Sequence, residues 1–512
     1  MKMLRCAVLL ATLPLTAQEM AKVVPGRFLV TYRNGLMPTD VNAQVLESGV
    51  RARVVESHRA LGVAIVDTTQ ARGTISAADD VETRARLAAQ PNVEMVVQDR
   101  IVTGHVMPSK NIPNLEAFPT RPITSGAANA TAAAPIEADI FYTLNPQDWA
   151  VKQVGGYGRS VPGGPANGPW DVTTGRGIRI AILDSGLDAQ HPDIAPNLAL
   201  NLSEVDRTAL PSPCDDGSPQ DQQGHGTFSA SLAAAAMGPG TGLMIGVAPS
   251  ATLLNIKVLE RMPGAGATLP AQCNAGQASG LLSWVLKGIN DAVVNHADII
   301  SLSLGSVVDL STGDGAGLKA TFDSATHAAA NAGVIVIAAA GNDGLDLTNP
   351  RYIEIPAQSR DVLAIVATTN TACTQNIAAG APCVAGPVSL AYYSNYGSPL
   401  NALAAPGGSY PAGDDYSVSG WVRGACSGGM PDTETGLPDA LHSFGCFNLG
   451  HTQYVQAIGT SASAPLAAGV AALYRAANPS WSAAQVIAAM RGSAVPTTNV
   501  PFPMVTAVSI HP

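Results

Sequence analysis

Ile178–Gly186 reads IRIAILDSG, an apolar run of strand length broken only by Arg179, which stops on Asp184-Ser185-Gly186, where the chain must turn. A strand with one wet face alternates apolar and polar residues. An Ile/Leu run of this kind needs cover on both faces, the situation of a strand inside a parallel sheet. Four similar runs follow at Thr252–Val258, Asp298–Leu304, Val334–Ala340 and Val362–Ala367. Helix-length stretches fall at about Ala230–Ala236, Ala278–Asn295, Leu318–Ala332 and Ser463–Ala476. This alternation predicts an α/β fold of three layers with a mainly parallel central sheet. In such sheets reactive groups gather at the carboxyl ends of strands and at adjoining helix N-termini.

Upstream of the sheet, residues 26–100 alternate strands (Phe28–Tyr32, Val63–Asp67, Val93–Gln98) with helices (Asp40–Glu47, Ala78–Ala89). That order suits a small ferredoxin-like α+β module of split βαβ type. Its expected limits are 23–103. Residues 104–144 are rich in Pro, Ala, Ser, Thr and Asn and read as a linker, with 145–512 as the main domain. At the N-terminus, Lys2 and Arg5 precede the apolar stretch Cys6–Leu15 and the small residues Thr16 and Ala17, the layout of a secretory signal over 1–17. No later segment approaches the roughly 18 uncharged apolar residues of a membrane span, so a secreted, unanchored product is expected.

With 512 residues, 46% of them hydrophobic, the chain can fill a large core, and its 51 glycines favour close packing of helices on a sheet. Residues 1–110 hold 13 of the 28 basic and 10 of the 38 acidic residues; the 15 basic and 28 acidic that remain give residues 111–512 a formal −13. A surface of that sign repels nucleic acid, and no basic run with interleaved aromatics offsets it. Beyond Cys6 there are six cysteines, Cys214, Cys273, Cys373, Cys383, Cys426 and Cys446. They allow 15 pairings. Short loops close at low entropic cost, which favours Cys214 with Cys273, Cys373 with Cys383, and Cys426 with Cys446.

Four polar residues stand at or near the predicted strand ends. Asp184 ends the first strand; His225 lies in Gly224-His225-Gly226-Thr227 and opens a small-residue helix; Asn342 follows Val334–Ala340; Ser461 lies in Gly459–Pro465, with Pro465 expected in a first helical turn. Singly, each has a commoner use as a turn former, a helix start or an N-cap. Together they supply what acyl transfer requires: a nucleophile, a base, an orienting carboxylate and an oxyanion donor.

The windows Ile180–Asp193 (IAILDSGLDAQHPD), Gly224–Ala230 (GHGTFSA), Ala338–Gly344 (AAAGNDG) and Gly459–Pro465 (GTSASAP) resemble the signature segments of the subtilisin-like serine peptidases, or subtilases, in that family's order of Asp, His and Ser. Gly246–Pro249 (GVAP), Tyr393–Gly397 (YSNYG) and Ala405–Gly408 (APGG) extend the likeness across roughly 145–492, closest to extracellular bacterial members. The resemblance implies a subtilisin-like fold and a serine endopeptidase with Ser461 as nucleophile, His225 as general base and acid, Asp184 as orienter, and Asn342 in the oxyanion hole. It implies that Ser303, Leu304 and Gly305 form an edge strand pairing with extended polypeptide substrate, and that Ala338, Ala339, Ala340 and Gly341 form one wall of the primary specificity pocket. The N-terminal module is similar to the family's inhibitory propeptide, implying an autoprocessed precursor cleaved between residues 103 and 144. A monomer is expected.

Phe228 and Ala462 depart from residues common in the family, and the Gly-rich insert Ser409–Gln456 has no counterpart. Asp193 matches a position that often binds calcium, but Met237–Met244 does not resemble the usual calcium loop, so a structural calcium stays open without a matching loop to support it, and no cofactor is required for the chemistry. A secreted scaffold that keeps the fold without turnover is the competing class, and the complete Asp/His/Ser set argues against it. A lipase of α/β-hydrolase type needs Gly-x-Ser-x-Gly at a strand-to-helix elbow, and a zinc peptidase needs His-Glu-x-x-His; the sequence offers neither.

Overall fold

The computed structural model describes residues 23–69, 76–104, 139–143, 149–161, 164, 166–370, 388–398, 400–409, 420–428, 454–497 and 501–511. The signal assigned to 1–17, most of the 104–144 linker, and Cys373, Cys383 and Cys446 lie outside them.

The N-terminal module runs β1 (Val23–Tyr32), α1 (Val41–Glu47), β2 (Arg53–His58), β3 (Val63–Asp67), α2 (Ala77–Ala88) and β4 (Val93–Gly104). Its strands order as β4-β1-β3-β2, all antiparallel. Asp40 caps α1 through the Ala43 amide, and Ser76 with Asp79 closes a capping box on α2. Strand β2 escapes the sequence reading: it is a partly exposed edge strand whose polar residues give no apolar beat.

The main unit begins with β5 (Arg179–Asp184), β6 (Leu198–Ser203), α3 (His225–Ala234) and β7 (Thr252–Lys257). It continues through β8 (Glu260–Met262), β9 (Gln277–Leu281), α4 (Leu282–Val294), β10 (Ile299–Leu302), β11 (Leu304–Asp309), α5 (Gly313–Asn331) and β12 (Ile335–Ala339). Then come β13 (Tyr352–Ile355), β14 (Val362–Asn370), β15 (Val388–Leu390), β16 (Ala402–Pro406), β17 (Val422–Ala425), β18 (Tyr454–Ala457), α6 (Thr460–Ala477) and α7 (Ala483–Ser493). The central sheet orders as β6-β7-β5-β10-β12-β14-β16, every pair parallel, with β15 added antiparallel to β14.

Period-2 alternation divides the sheet's residues between two cores. Ile180, Ile182, Ile335 and Ile337 join the cluster containing α3 and α6; Ala181, Leu183, Val336 and Ala338 join the one containing α4 and α5. Both faces are therefore buried, as the apolar runs required.

Two helix limits differ from expectation. Ala278–Leu281 belongs to β9, because this small-residue stretch pairs with β8 and with β4, a long-range contact that local pattern does not encode. Helix α6 starts at Thr460, so Pro465 is an interior residue instead of a first-turn one.

The module seats on α4 and α5. Gly317 of α5 admits it: a Cβ there would stand 2.2 Å from Val97 Cγ1. The described ends of the insert are core, with β17 and β18 paired antiparallel, Gly424 against the Phe228 ring, and Trp149 Nε1 donating to the Trp421 carbonyl. No helix among the described residues is long and apolar enough to cross a membrane.

Cys214 and Cys273 form a disulfide spanning 59 residues, as expected for that pair, and both are buried; Cys426 is buried too. Replacing Cys214 and Cys273 with serine is expected to lower the unfolding free energy by at most about 4 kcal/mol, the chain-entropy value for a loop of that length, read from urea unfolding of the purified protein.

Candidate active site

Asp184 closes β5 and is buried. Its Oδ1 accepts from the Ser185 amide at 2.7 Å and from His225 Nδ1 at 2.7 Å. Two neighbouring features hold His225 in place. Gly226 lies so close to the preceding turn that a Cβ would stand 2.1 Å from the Gly186 carbonyl oxygen. Asp221, which the sequence reading missed, gathers the donors at the start of α3: Oδ1 accepts from the Gly224 amide at 2.7 Å and from Ser185 Oγ at 2.9 Å, and Oδ2 from the Thr227 amide at 2.9 Å and its hydroxyl at 2.6 Å. Burial pushes the Asp221 carboxyl up, against those hydrogen bonds. An acid three residues before Gly224 and six before Thr227 is the local signal that could have found it. The insert also reaches this turn, since Ser427 Oγ donates to the Asp221 carbonyl.

Ser461 is the second residue of α6 and is buried. Proline at 465 has no N–H to offer the carbonyl four residues back. That carbonyl belongs to Ser461, and Ser303 Oγ donates to it instead at 3.0 Å. The interior proline thus hands the nucleophile candidate's backbone to a side chain on the β10–β11 segment.

Asn342 stands just past β12. Its Oδ1 accepts from the Thr460 amide at 2.9 Å and the Thr460 hydroxyl at 2.8 Å, which leaves the NH2 end as the group able to donate. Gly341 before it has φ 102°, and a Cβ there would stand 2.1 Å from Asn395 Nδ2. Thr460 and Asn395 thus position the turn, and both lie inside quoted windows without a role having been read for them.

Leu304 and Gly305 open β11 and pair antiparallel with Gly104 and Thr103 at the end of β4. On the other side Ile101, Val102 and Thr103 pair with Leu281, Gly280 and Ser279 of β9. An extended segment of the chain itself thus lies between two strands at the sheet's edge. It ends beside the imidazole: a Cβ on Gly104 would stand 3.4 Å from His225 Cε1 and Nδ1. Of the expected pocket wall, Ala338 and Ala340 belong to the α4/α5 core and Ala339 to the α3/α6 core.

The residues about Asp193 do not fit a cation. Calcium requires six to eight oxygen ligands, whereas the Asp193 carboxylate faces donors: Tyr454 hydroxyl at 2.8 Å, itself accepting from the Leu243 amide at 2.7 Å, with the Gly242 and Met244 amides directed at the same carboxylate. Asp139 nearby accepts from the Gly238 amide at 3.0 Å.

A parallel sheet with an Asp–His pair, a helix-borne serine and an amide donor along one edge is the layout of a serine peptidase. Residues 175–506 match the model of the subtilase family, peptidase S8. The chain belongs to that family. It is 33% identical to thermitase of Thermoactinomyces vulgaris over 255 residues, 49% of this chain and 72% of that protein. It is 29% identical to subtilisin NAT of Bacillus subtilis subsp. natto over 313 residues, 61% of this chain and 59% of the relative. Among solved structures, the epidermin leader peptide processing serine protease (EpiP) of Staphylococcus aureus superposes with a TM-score of 0.60 at 18% identity, covering 94% of this chain and 95% of that one, a likeness of fold.

Burial raises the Asp193 carboxyl to about 7. A carboxyl raised in the folded state contributes stability that is complete below its unfolded value near 4 and is lost as pH rises through 7. Between pH 5 and 8 the native chain is expected to lose about 2–3 kcal/mol more unfolding free energy than Asp193→Asn, and EDTA is expected to leave its melting temperature unchanged. Urea unfolding at the two pH values and a thermal melt check these.

Proposed function

We propose that this chain is a secreted serine endopeptidase, synthesised as a precursor that cuts itself between residues 103 and 144. Ser461 Oγ attacks the scissile carbonyl while His225 takes its proton, giving a tetrahedral intermediate; His225 then gives that proton to the leaving amine as the C–N bond breaks, which leaves the acyl-enzyme. Water, activated by the same imidazole, releases the acyl group. Asp184, bonded to Nδ1, holds the tautomer that leaves Nε2 as the base and stabilises the imidazolium. The Asn342 amide and the Ser461 backbone N–H receive the oxyanion, and the dipole of α6 assists. No cofactor takes part.

The observation that carries the reading is the end of β4, an extended chain held antiparallel on both sides with Gly104 against the His225 ring. Strand addition of this kind is how a cleft binds polypeptide through its backbone. The same strand ties the N-terminal module to the cleft, which supports that module as an inhibitor in the precursor. The Cys214–Cys273 disulfide suits an oxidising compartment and hence secretion.

Purified protein is expected to hydrolyse casein, and Ser461→Ala to abolish that activity while leaving the secreted chain at full precursor mass. Asn342→Leu is expected to lower kcat by about 10²–10³, the magnitude known for one oxyanion donor in subtilisin itself. Casein assays with intact-mass analysis check all three; hydrolysis unchanged in Ser461→Ala would refute the proposal.

A further inference from the structure

Gly104, the last residue of β4, lies in ordinary extended backbone outside the left-handed region, so its conformation does not call for glycine. The space around it does. Continuing the pairing of Ile101, Val102 and Thr103 with Leu281, Gly280 and Ser279 sets Gly104 opposite Ala278 of β9. Directly opposed residues of an antiparallel pair ordinarily hold their Cβ atoms about 4.5–5.5 Å apart. A Cβ on Gly104 would stand 3.3 Å from the Ala278 Cβ and 3.4 Å from His225 Cε1 and Nδ1. Both neighbours are held where they are. The bond to Asp184 at 2.7 Å and the packing of Gly226 on Gly186 fix the imidazole. Ala278 is fully buried, and β9 is backed by β8, where Arg261 pairs with it. Strand β8 is in turn tied to the segment around Cys214: the Arg261 amide donates to Asp215 Oδ2 at 2.9 Å, and Ser212 Oγ donates to the Arg261 carbonyl. The disulfide to Cys214 anchors Cys273, just ahead of β9.

Resting on the peptidase reading above, we infer that the cleft selects glycine at the second residue before the cut bond, and that Ala278 is the residue that enforces the choice. Thr103 lies opposite Gly305 and Gly104 opposite Leu304, so a polypeptide continuing this register by one residue reaches the place opposite Ser303, whose hydroxyl holds the Ser461 carbonyl. That residue offers its carbonyl to the nucleophile, and the residue before it takes the position of Gly104, against both Ala278 and the imidazole. A side chain there must displace β9 or the His225 ring. The ring is then out of line when it has to take the Ser461 proton, so the penalty reaches the chemical step as well as binding. The next position back is read less closely, because strand alternation turns Thr103 outward to solvent.

The test uses the purified protein in the form that hydrolyses casein, with peptides Ile-Val-Thr-X-Z-p-nitroanilide that keep the chain's own residues 101–103. X is Gly, Ala or Val, and Z is whichever of Phe, Leu and Arg is cut fastest. The expected kcat/KM falls about 10-fold from Gly to Ala and about 100-fold or more from Gly to Val, since each added carbon must be fitted into a space already filled. In Ala278→Gly the Gly-to-Ala ratio is expected to fall to about 3 or less, a change that a general loosening of β9 would not produce, because that lowers both peptides alike. Should the variant fail to fold, the native series decides, together with cut sites mapped by mass spectrometry in a mixed peptide library, where glycine is expected to be enriched at the second residue before the cut. A Val peptide cut as fast as the Gly peptide overturns this inference and leaves the peptidase reading intact. So does a Gly-to-Ala ratio unchanged in a folded Ala278→Gly, or a library without that enrichment. Absence of any Ser461-dependent hydrolysis overturns both.

Discussion

A sheet buried on both faces admits few polar side chains within its strands, such as Asn255 of β7 and Ser301 of β10, and gathers the rest at its ends, and that constraint organises the rest of the molecule. Ile180 and Ile182 point to one core, Ala181 and Leu183 to the other, and the first position free of both is Asp184. The same holds for β12, which stays apolar through Ala339 and releases its polar residue at Asn342. Helices α3 and α6 cover one face and begin at the same edge, which brings His225 and Ser461 to it. The candidate site residues therefore need no long-range code of their own to reach that edge. They fall together because parallel strands and their covering helices reverse direction at a common line.

Much of this was legible because both-face burial writes itself into composition. The five apolar runs correspond to β5, β7, β10, β12 and β14, and Asp184, His225, Asn342 and Ser461 sit at their ends or at helix starts. What escaped depends on partners remote in the chain. Ala278–Leu281 is a strand only because β4, some 180 residues earlier, runs beside it. Pro465 looked like a first-turn residue because nothing local reveals that Ser303 would take over the Ser461 carbonyl. Glu354 reads as a polar position in a short strand, and only tertiary packing sets it beneath Gly341. The insert between Ser409 and Gln456 has no counterpart from which its place could be inferred, yet its described ends pack into the core and brace the turn that carries Asp221.

The contact between the N-terminal module and the main unit adds charged pairs to an apolar contact that shares the α4/α5 core. Buried Arg27 donates to Asp99 at 3.0 Å and reaches Asp206 and Ser283 across the contact; Asp99 in turn accepts from the Ser283 amide at the start of α4. Lys287 bridges Glu56 of the module and Glu204 of the main unit, and Arg84 pairs with Asp314. The buried Arg27 pairs add little net stability, because desolvation offsets most of the attraction, but they are costly to mismatch, and the half-exposed Lys287 and Arg84 pairs add less still. Charged pairs that flank an apolar contact, here Leu29, Val97 and Val102 against α4 and α5, fix one docking geometry for it.

Register is also where selectivity has to be found. Pairing along β9 and β11 reads the backbone of whatever lies between them, and main-chain hydrogen bonds are the same for every non-proline sequence. Discrimination can come only from a side chain that is fully desolvated as the bond to be cut reaches Ser461, because a half-exposed contact changes free energy too little to separate substrates.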